Sequence, residues 1–93
     1  MSYELEFLES ALKEWKALNA NTREQFRKKL TERCENPHVP SAKLRGSSDR
    51  YKIKLRSAGY RLVYTVEDDR LVVLVIAIGR RDRSEVYEKA KRR

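Results

Sequence analysis

Hydrophobic and polar positions change their period twice along this chain. Tyr3, Leu5 and Phe7 alternate with Ser2, Glu4 and Glu6, which predicts a half-buried opening strand. A helical period follows. Ala11, Leu12, Trp15 and Leu18 mark the buried stripe of a first helix, which Ser10 can cap. Asn19-Ala20-Asn21 interrupts it, and Asn21 with Glu24 has the spacing of a capping pair for a second helix. Phe26, Leu30 and Cys34 recur every four residues on that helix, so Cys34 reads as a core residue. Pro37 and Pro40 end it. Two helices joined this tightly form an antiparallel hairpin.

From residue 50 the period is two. Tyr51, Ile53 and Leu55 alternate with Arg50, Lys52, Lys54 and Arg56, and Ser57-Ala58-Gly59 makes a turn. Leu62, Tyr64 and Val66 then alternate with Arg61, Val63 and Thr65, and Glu67-Asp68-Asp69-Arg70 makes a second turn. Leu71 to Ile78 is apolar throughout, as expected of a central strand covered on both faces. Gly79 stops it, and Asp82 with Glu85 can cap a last helix carrying Val86, Tyr87 and Ala90. The predicted order is β-α-α-β-β-β-α. We expect one α+β domain over residues 1–93, with a mainly antiparallel four-stranded sheet and helices packed on one face.

Composition narrows the function classes. A chain of 93 residues allows one modest core and excludes a second domain or a large cofactor-binding half. One Cys excludes a disulfide framework and a Cys-built zinc site, and one His leaves no His-paired metal site. The eight-residue apolar run is too short to span a bilayer, and the acidic opening lacks a basic-then-apolar leader pattern. We expect a cytoplasmic protein without membrane contact.

The net charge of +8 is unevenly placed. Residues 1–42 are neutral overall, whereas residues 43–66 hold seven cations against one acid, and residues 79–93 hold seven against three. Such polarity points to a polyanionic partner.

Alternation then decides which cations share a face. If Tyr51, Ile53 and Leu55 point to the helices, Lys52, Lys54 and Arg56 point away. Arg61 joins them, opposite Lys54 or Arg56 according to the turn length. The next hairpin returns Arg80 and Arg81 to the same end, so at least one of them is expected in the cluster. No carboxylate on those strands neutralises it. Like charges set opposite one another destabilise a sheet, so the cluster points to a bound anion, against the plainer alternative of a solvated polar face. Arginine forks suit phosphate oxygens, and Tyr87 offers a stacking ring for an unpaired base. RNA supplies its own nucleophile, the 2′-hydroxyl, and its cleavage needs a proton acceptor and charge stabilisation but no metal. His38 lies in the Pro-flanked loop and reads as a surface residue. A lysine crowded by cations has a lowered pKa, which makes Lys54 the candidate proton acceptor.

The stretches KLRG and YKIKLRSAGYRLVYTVEDD, the strand ending in AIGRRDRSEVYEKA, and the opening ALKEW resemble the RelE-like toxins of bacterial toxin–antitoxin pairs. The likeness runs from residue 3 to residue 91 in the right order and spacing. It implies a RelE-like, microbial-RNase-like fold. It also implies a ribosome-dependent endoribonuclease, without cofactor, that enters the A site of the 70S ribosome beside 16S rRNA. There it cuts mRNA, leaving a 2′,3′-cyclic phosphate and a 5′-hydroxyl. By the same resemblance Lys52 and Lys54 match the family's two functional lysines. Arg61 matches its phosphate-stabilising arginine, Arg81 the arginine near the leaving oxygen, and Tyr87 the tyrosine stacked on the mRNA base. Lys54 takes the role of general base. Because a guanidinium rarely gives up a proton, Arg81 is weighted as an electrostatic stabiliser. Lys43, Arg45, Arg56, Arg80 and Arg83, with Arg23, Arg27, Lys28 and Lys29 on the second helix, are the expected RNA and ribosome contacts. The resemblance further implies a RelB-like antitoxin whose extended segment wraps the toxin, and operator DNA bound only through that complex. The alternatives are a non-catalytic basic binding module and a ParE-like gyrase-inhibiting toxin, which is not expected to carry this set of residues.

Overall fold

Asn19 sets the geometry of the helical half. Its side chain accepts a hydrogen bond from the Thr22 amide at 2.8 Å and so caps the second helix two residues earlier than Asn21 predicts. The computed structural model describes residues 3–80 and 85–93. Strand β1 (Glu4–Phe7) leads into α1 (Glu9–Ala17), and α2 (Ala20–Glu35) follows almost at once. Leu8, not Ser10, occupies the N-cap position of α1, without a side-chain cap bond. A single 3₁₀ turn, Pro40–Ala42, follows Pro37, then come β2 (Arg50–Leu55), β3 (Tyr60–Glu67), β4 (Val72–Arg80) and α3 (Glu85–Arg92). The expected element order is therefore present.

The sheet order is β1-β4-β3-β2. The β2–β3 and β3–β4 pairs are antiparallel hairpins, while β1 lies parallel to β4, so the sheet is mixed with an antiparallel majority. Central β4 reads as a continuous apolar run because both of its faces are covered. On one face Phe26 and Leu30 of α2 and Ala11 of α1 pack against Ile53, Leu62, Tyr64, Val73 and Val75. Each fully buried side chain of this size contributes roughly 1.5–3 kcal/mol relative to exposure. Cys34 packs at the margin of this core as expected, and burial, followed by the charge of Glu35, pushes its thiol pKa up.

The other face differs from expectation. Val86 and Ala90 of α3 bury against Val63, Ile76 and Ala77, so only α1 and α2 share a face and α3 lies on the opposite one. A β-bulge makes this possible. Tyr64 pairs with Val75 but Val63 pairs with Ala77, which leaves Ile76 as an extra residue. The bulge turns both Ile76 and Ala77 toward α3. Gly79 continues that contact, since a Cβ there would stand 3.6 Å from Val86 Cβ and 3.3 Å from Lys89 Nζ.

Beyond Val75, β1 no longer covers the edge of β4. Side chains take over its backbone groups. The Ile78 amide donates to Glu14 Oε1 at 3.0 Å, Lys89 Nζ donates to the Ile78 carbonyl at 2.9 Å, and Arg93 donates to the Ile76 carbonyl at 2.9 Å. Lys89 and Arg93 also meet the Glu14 carboxylate at 2.7 and 3.0 Å. This knot ties α1, α3 and the open half of the β4 edge together.

Candidate active site

The β2–β3 hairpin positions the central cations. Its four-residue turn, closed by Gly59 at φ +71°, aligns Lys54 directly with Arg61 and Lys52 with Val63. Lys52, Lys54 and Arg61 therefore face one way, on the side of the sheet that α3 partly covers. The face is thus a ledge beside a helix, not an open plane. Lys54 and Arg56 are exposed, and Lys52 and Arg61 are partly buried. A cleft of about 240 Å³ lies among Lys54, Arg56, Tyr60 and Arg61.

No carboxylate forms an ion pair with Lys52, Lys54, Arg56 or Arg61 among the described residues. The charges act on one another instead. Lys52 first, then Arg61, slight burial and Arg56 depress the Lys54 pKa below its ordinary value. The covering helix brings Tyr87 to Arg61, whose Nη1 donates to the tyrosine hydroxyl at 3.2 Å. The guanidinium carbon lies 5.4 Å from the ring centroid. Arg61 Nε is buried and has no partner among the described residues. A buried donor left unpaired is costly.

The other expected residues divide. Lys43 and Arg45 are exposed on the segment before β2. Arg80 does not join the cluster: its partner in the ladder is Tyr60, and its guanidinium lies 5.3 Å from that ring, on the opposite face parity from Arg61. Arg81 and Arg83 lie outside the described residues. Arg23 is turned inward to the carbonyls of Lys16 and Leu18, where it closes the C-terminal end of α1. Arg27 pairs with Glu24 at 3.3 Å, and Lys28 and Lys29 are exposed.

Sequence reasoning missed the support behind the ledge. Arg33 Nη1 donates to the Lys52 carbonyl at 3.1 Å and to the Tyr64 hydroxyl at 2.9 Å, and Tyr64 donates to the Pro37 carbonyl. Tyr64 in turn stacks on Tyr51 at 5.5 Å. These contacts fix the backbone of β2 at the residue that carries the Lys52 side chain. The signal was present: Arg33 follows Leu30 by three residues and so falls on the inner stripe of α2. His38 is exposed on the far face, as expected, but it also bridges Asp68 at 2.8 Å and the Tyr51 hydroxyl at 3.1 Å. Among the described residues, no helix is long and apolar enough to cross a membrane.

Three comparisons bear on this arrangement. Residues 5–85 match the family model for the ParE toxin of the type II toxin–antitoxin system parDE. The chain is 57% identical over 93 residues to the mRNA interferase toxin RelE of Escherichia coli K12, covering all of this chain and 98% of that one. Its fold superposes on a doubly substituted E. coli RelE in the free state with a TM-score of 0.92 and 54% identity, covering 99% of this chain and 97% of that one. The same mutant in complex with a peptide of the antitoxin RelB gives a TM-score of 0.85 and 56% identity, with 97% and 95% covered.

Proposed function

Because this chain belongs to the RelE/ParE family of toxins from type II toxin–antitoxin systems, we propose that it is an mRNA interferase, a ribosome-dependent endoribonuclease that stops translation by cutting mRNA in the A site. The observation that carries this reading is the ledge of Lys52, Lys54 and Arg61, which no carboxylate among the described residues pairs with and which Tyr87 closes on one side.

The chemistry follows from that ledge. The ribose 2′-hydroxyl attacks the adjacent phosphorus, and its proton passes to the neutral Lys54 amine. Crowding by Lys52 and Arg61 raises the neutral fraction of that amine. Negative charge grows on the phosphoryl oxygens, where Arg61 and Lys52 stabilise it. The bond from phosphorus to the 5′ oxygen breaks, and that oxygen takes up a proton from water. The products are a 2′,3′-cyclic phosphate and a 5′-hydroxyl. Tyr87 holds the neighbouring base by stacking, and Arg81 adds positive charge near the leaving oxygen. A shallow ledge cannot by itself hold the 2′ oxygen in line with its leaving group, so the ribosome supplies the alignment.

The proposed partners follow from the same reading. A RelB-like antitoxin covers or distorts the ledge, and operator DNA is bound through that complex. The ribosomal substrate places the protein in the cytoplasm. Incubation with purified ribosomes and a defined mRNA, read by primer extension, tests the proposal: cuts confined to the A site are expected. Intact message, together with inhibition of gyrase supercoiling, would instead establish the ParE-like reading.

A further inference from the structure

The helix that carries Tyr87 is weakly held by its own sequence. It has eight residues, too few to be stable alone, and its buried side chains, Val86 and Ala90, are small. Tyr87 nevertheless stands over Arg61, with its hydroxyl 3.2 Å from Nη1 and its ring centroid 5.4 Å from the guanidinium carbon. Glu14 supplies the missing hold. It belongs to α1, which packs on the opposite face of the sheet from α3. Its carboxylate sits at the stretch of the β4 edge that β1 leaves uncovered. There Oε1 accepts from the Ile78 amide and from Arg93 Nη1, both at 3.0 Å, and Oε2 accepts from Lys89 Nζ at 2.7 Å and from Arg93 Nη2 at 3.1 Å. The Glu14, Lys89 and Arg93 side chains are 28% exposed or less, so salt screens these pairs weakly. Lys89 passes close over Gly79, where a Cβ would stand 3.3 Å from its Nζ, and Gly79 is the ladder partner of Arg61. The clamp therefore draws α3 onto the sheet directly beside Arg61.

We infer that Glu14, acting through Lys89 and Arg93, is a positioning residue for the cutting reaction: it seats α3 so that Tyr87 stands over Arg61. This rests on the ribonuclease reading and extends it to a residue outside the ledge. Two observations carry it. The same carboxylate binds both the helix and the strand, so it fixes the distance between them and does more than neutralise a charge. Lys89 and Arg93 also lie four residues apart, on one side of the helix, and Tyr87 lies on the other. Two held points on one side stop the helix from rolling about its axis, and a roll would carry Tyr87 off Arg61. Arg50 adds a single tie, to the Ala90 carbonyl, which fastens the end of the helix but leaves the roll free. A misplacement of about 1 Å is enough to cost roughly 10²-fold in rate, so the seating of one short helix matters to the chemistry.

The test compares Glu14→Ala with Lys89→Met, which loses the ammonium but keeps an apolar stem, under conditions where urea unfolding shows each chain folded. Two readouts are taken. The first is the NMR signal of the Arg61 Nε–H group in the free protein, which the Tyr87 ring shifts. In Glu14→Ala it is expected to move toward the position it takes in Tyr87→Ala. The second is single-turnover cutting on saturating ribosomes loaded with a defined mRNA. It is expected to fall by about 10–10²-fold in Glu14→Ala and by less in Lys89→Met, with ribosome affinity unchanged. The double variant should cut no more slowly than Glu14→Ala alone, since both changes break one clamp. Wild-type cutting by folded Glu14→Ala, or an Arg61 signal that stays in place, would overturn the inference. A loss of ribosome affinity that accounts for the lost cutting would also overturn it, and would make Glu14 a docking contact. Should Glu14→Ala fail to fold, Lys89→Met decides by the same two readouts. A wild-type chain that does not cut would sink the ribonuclease reading, whereas the Arg61 signal by itself decides whether Glu14 seats Tyr87.

Discussion

Two regions of one sheet treat positive charge in opposite ways. At the open edge of β4, Lys89 and Arg93 converge on the Glu14 carboxylate, and each also donates to a backbone carbonyl. On the ledge, Lys54 faces Arg61 across the ladder with Lys52 alongside and no acid in reach among the described residues. The ionisation of each region follows. Burial pushes the Glu14 carboxyl up, but hydrogen bonds from Arg93, Lys89 and the Ile78 amide outweigh it and leave the pKa below its ordinary 4.5. The Lys54 pKa is lowered as well, but in an amine that favours the neutral form, whereas in Glu14 it favours the charged one. The lesson is that this chain pairs its cations where they fasten elements together. On the ledge, where the proposed mRNA phosphate would arrive, the cations have no carboxylate partner among the described residues, and like charges set opposite one another destabilise the sheet there.

The sharpest way to break this contrast is to empty the ledge. Lys54→Ala is expected to lower ribosome-dependent cutting by about 10²–10⁴-fold, the range of a lost general base. Its midpoint of urea unfolding should equal or exceed that of the wild type, because a repulsion has been removed. A rate within twofold of wild type would remove Lys54 from the mechanism. A finer version keeps the lysine and changes its neighbour. Lys52 is the largest influence depressing the Lys54 pKa, so Lys52→Met lets it return toward 10.5. The rising limb of the pH–rate profile should then move to higher pH, and the rate at neutral pH should fall. A limb that stays in place would mean that another group titrates there.

Much of this contrast was legible in the sequence, and the unread part has physical reasons. Period-two alternation from Arg50 onward gave the hairpins and placed Lys52, Lys54 and Arg61 on one face, because the pleat leaves no other choice. The side taken by α3 was open to inference. Val72 to Ile78 is apolar on both faces, so an element had to cover the second face, and α1 and α2 already filled the first. The bulge at Ile76 was not readable, since one extra residue in a uniformly apolar strand breaks no pattern. Without it, Arg80 reads as a member of the cluster, whereas it rests on Tyr60. Glu14 resembled Arg33: each sits on the inner stripe of its helix, where a reading of apolar positions alone assigns no role to a charged residue. Chain alternation cannot show a side chain that reaches across elements to a backbone carbonyl.

The paired region gives the next largest effect. Glu14→Ala leaves Lys89 and Arg93 without their carboxylate and the Ile78 amide without its acceptor. The expected loss is about 2 kcal/mol by urea unfolding, the scale of hydrogen bonds to a charged group. Glu14→Gln should lose less, since its oxygen still accepts from Ile78. The pH dependence has a definite sign. Because the folded pKa is depressed, the unfolded chain binds the extra proton first, so this stabilisation is full above pH 4.5 and fades as pH falls through the lowered value. The Glu14→Ala chain should show a shallower loss of stability across that acid window. Equal slopes in both chains would mean that the knot contributes nothing there.

The smallest effects separate cations that the sequence alone grouped together on α2. Arg23 closes the end of α1 through the carbonyls of Lys16 and Leu18, whereas Lys28 and Lys29 are exposed with no such bond. Arg23→Ala should therefore cost about 1 kcal/mol of stability, the usual worth of a helix-end contact, and leave the salt dependence of ribosome binding nearly unchanged. The Lys28→Ala, Lys29→Ala chain should unfold within about 0.5 kcal/mol of wild type, as surface changes do. If those lysines meet ribosomal phosphates, its binding to ribosomes should weaken and fall less steeply with added salt, because fewer counterions are released. A salt slope that moves with Arg23 and not with the two lysines would reverse the assignment. It would place α2's contribution on the bonded arginine, and with it end the rule that unpaired cations mark where the anion lands.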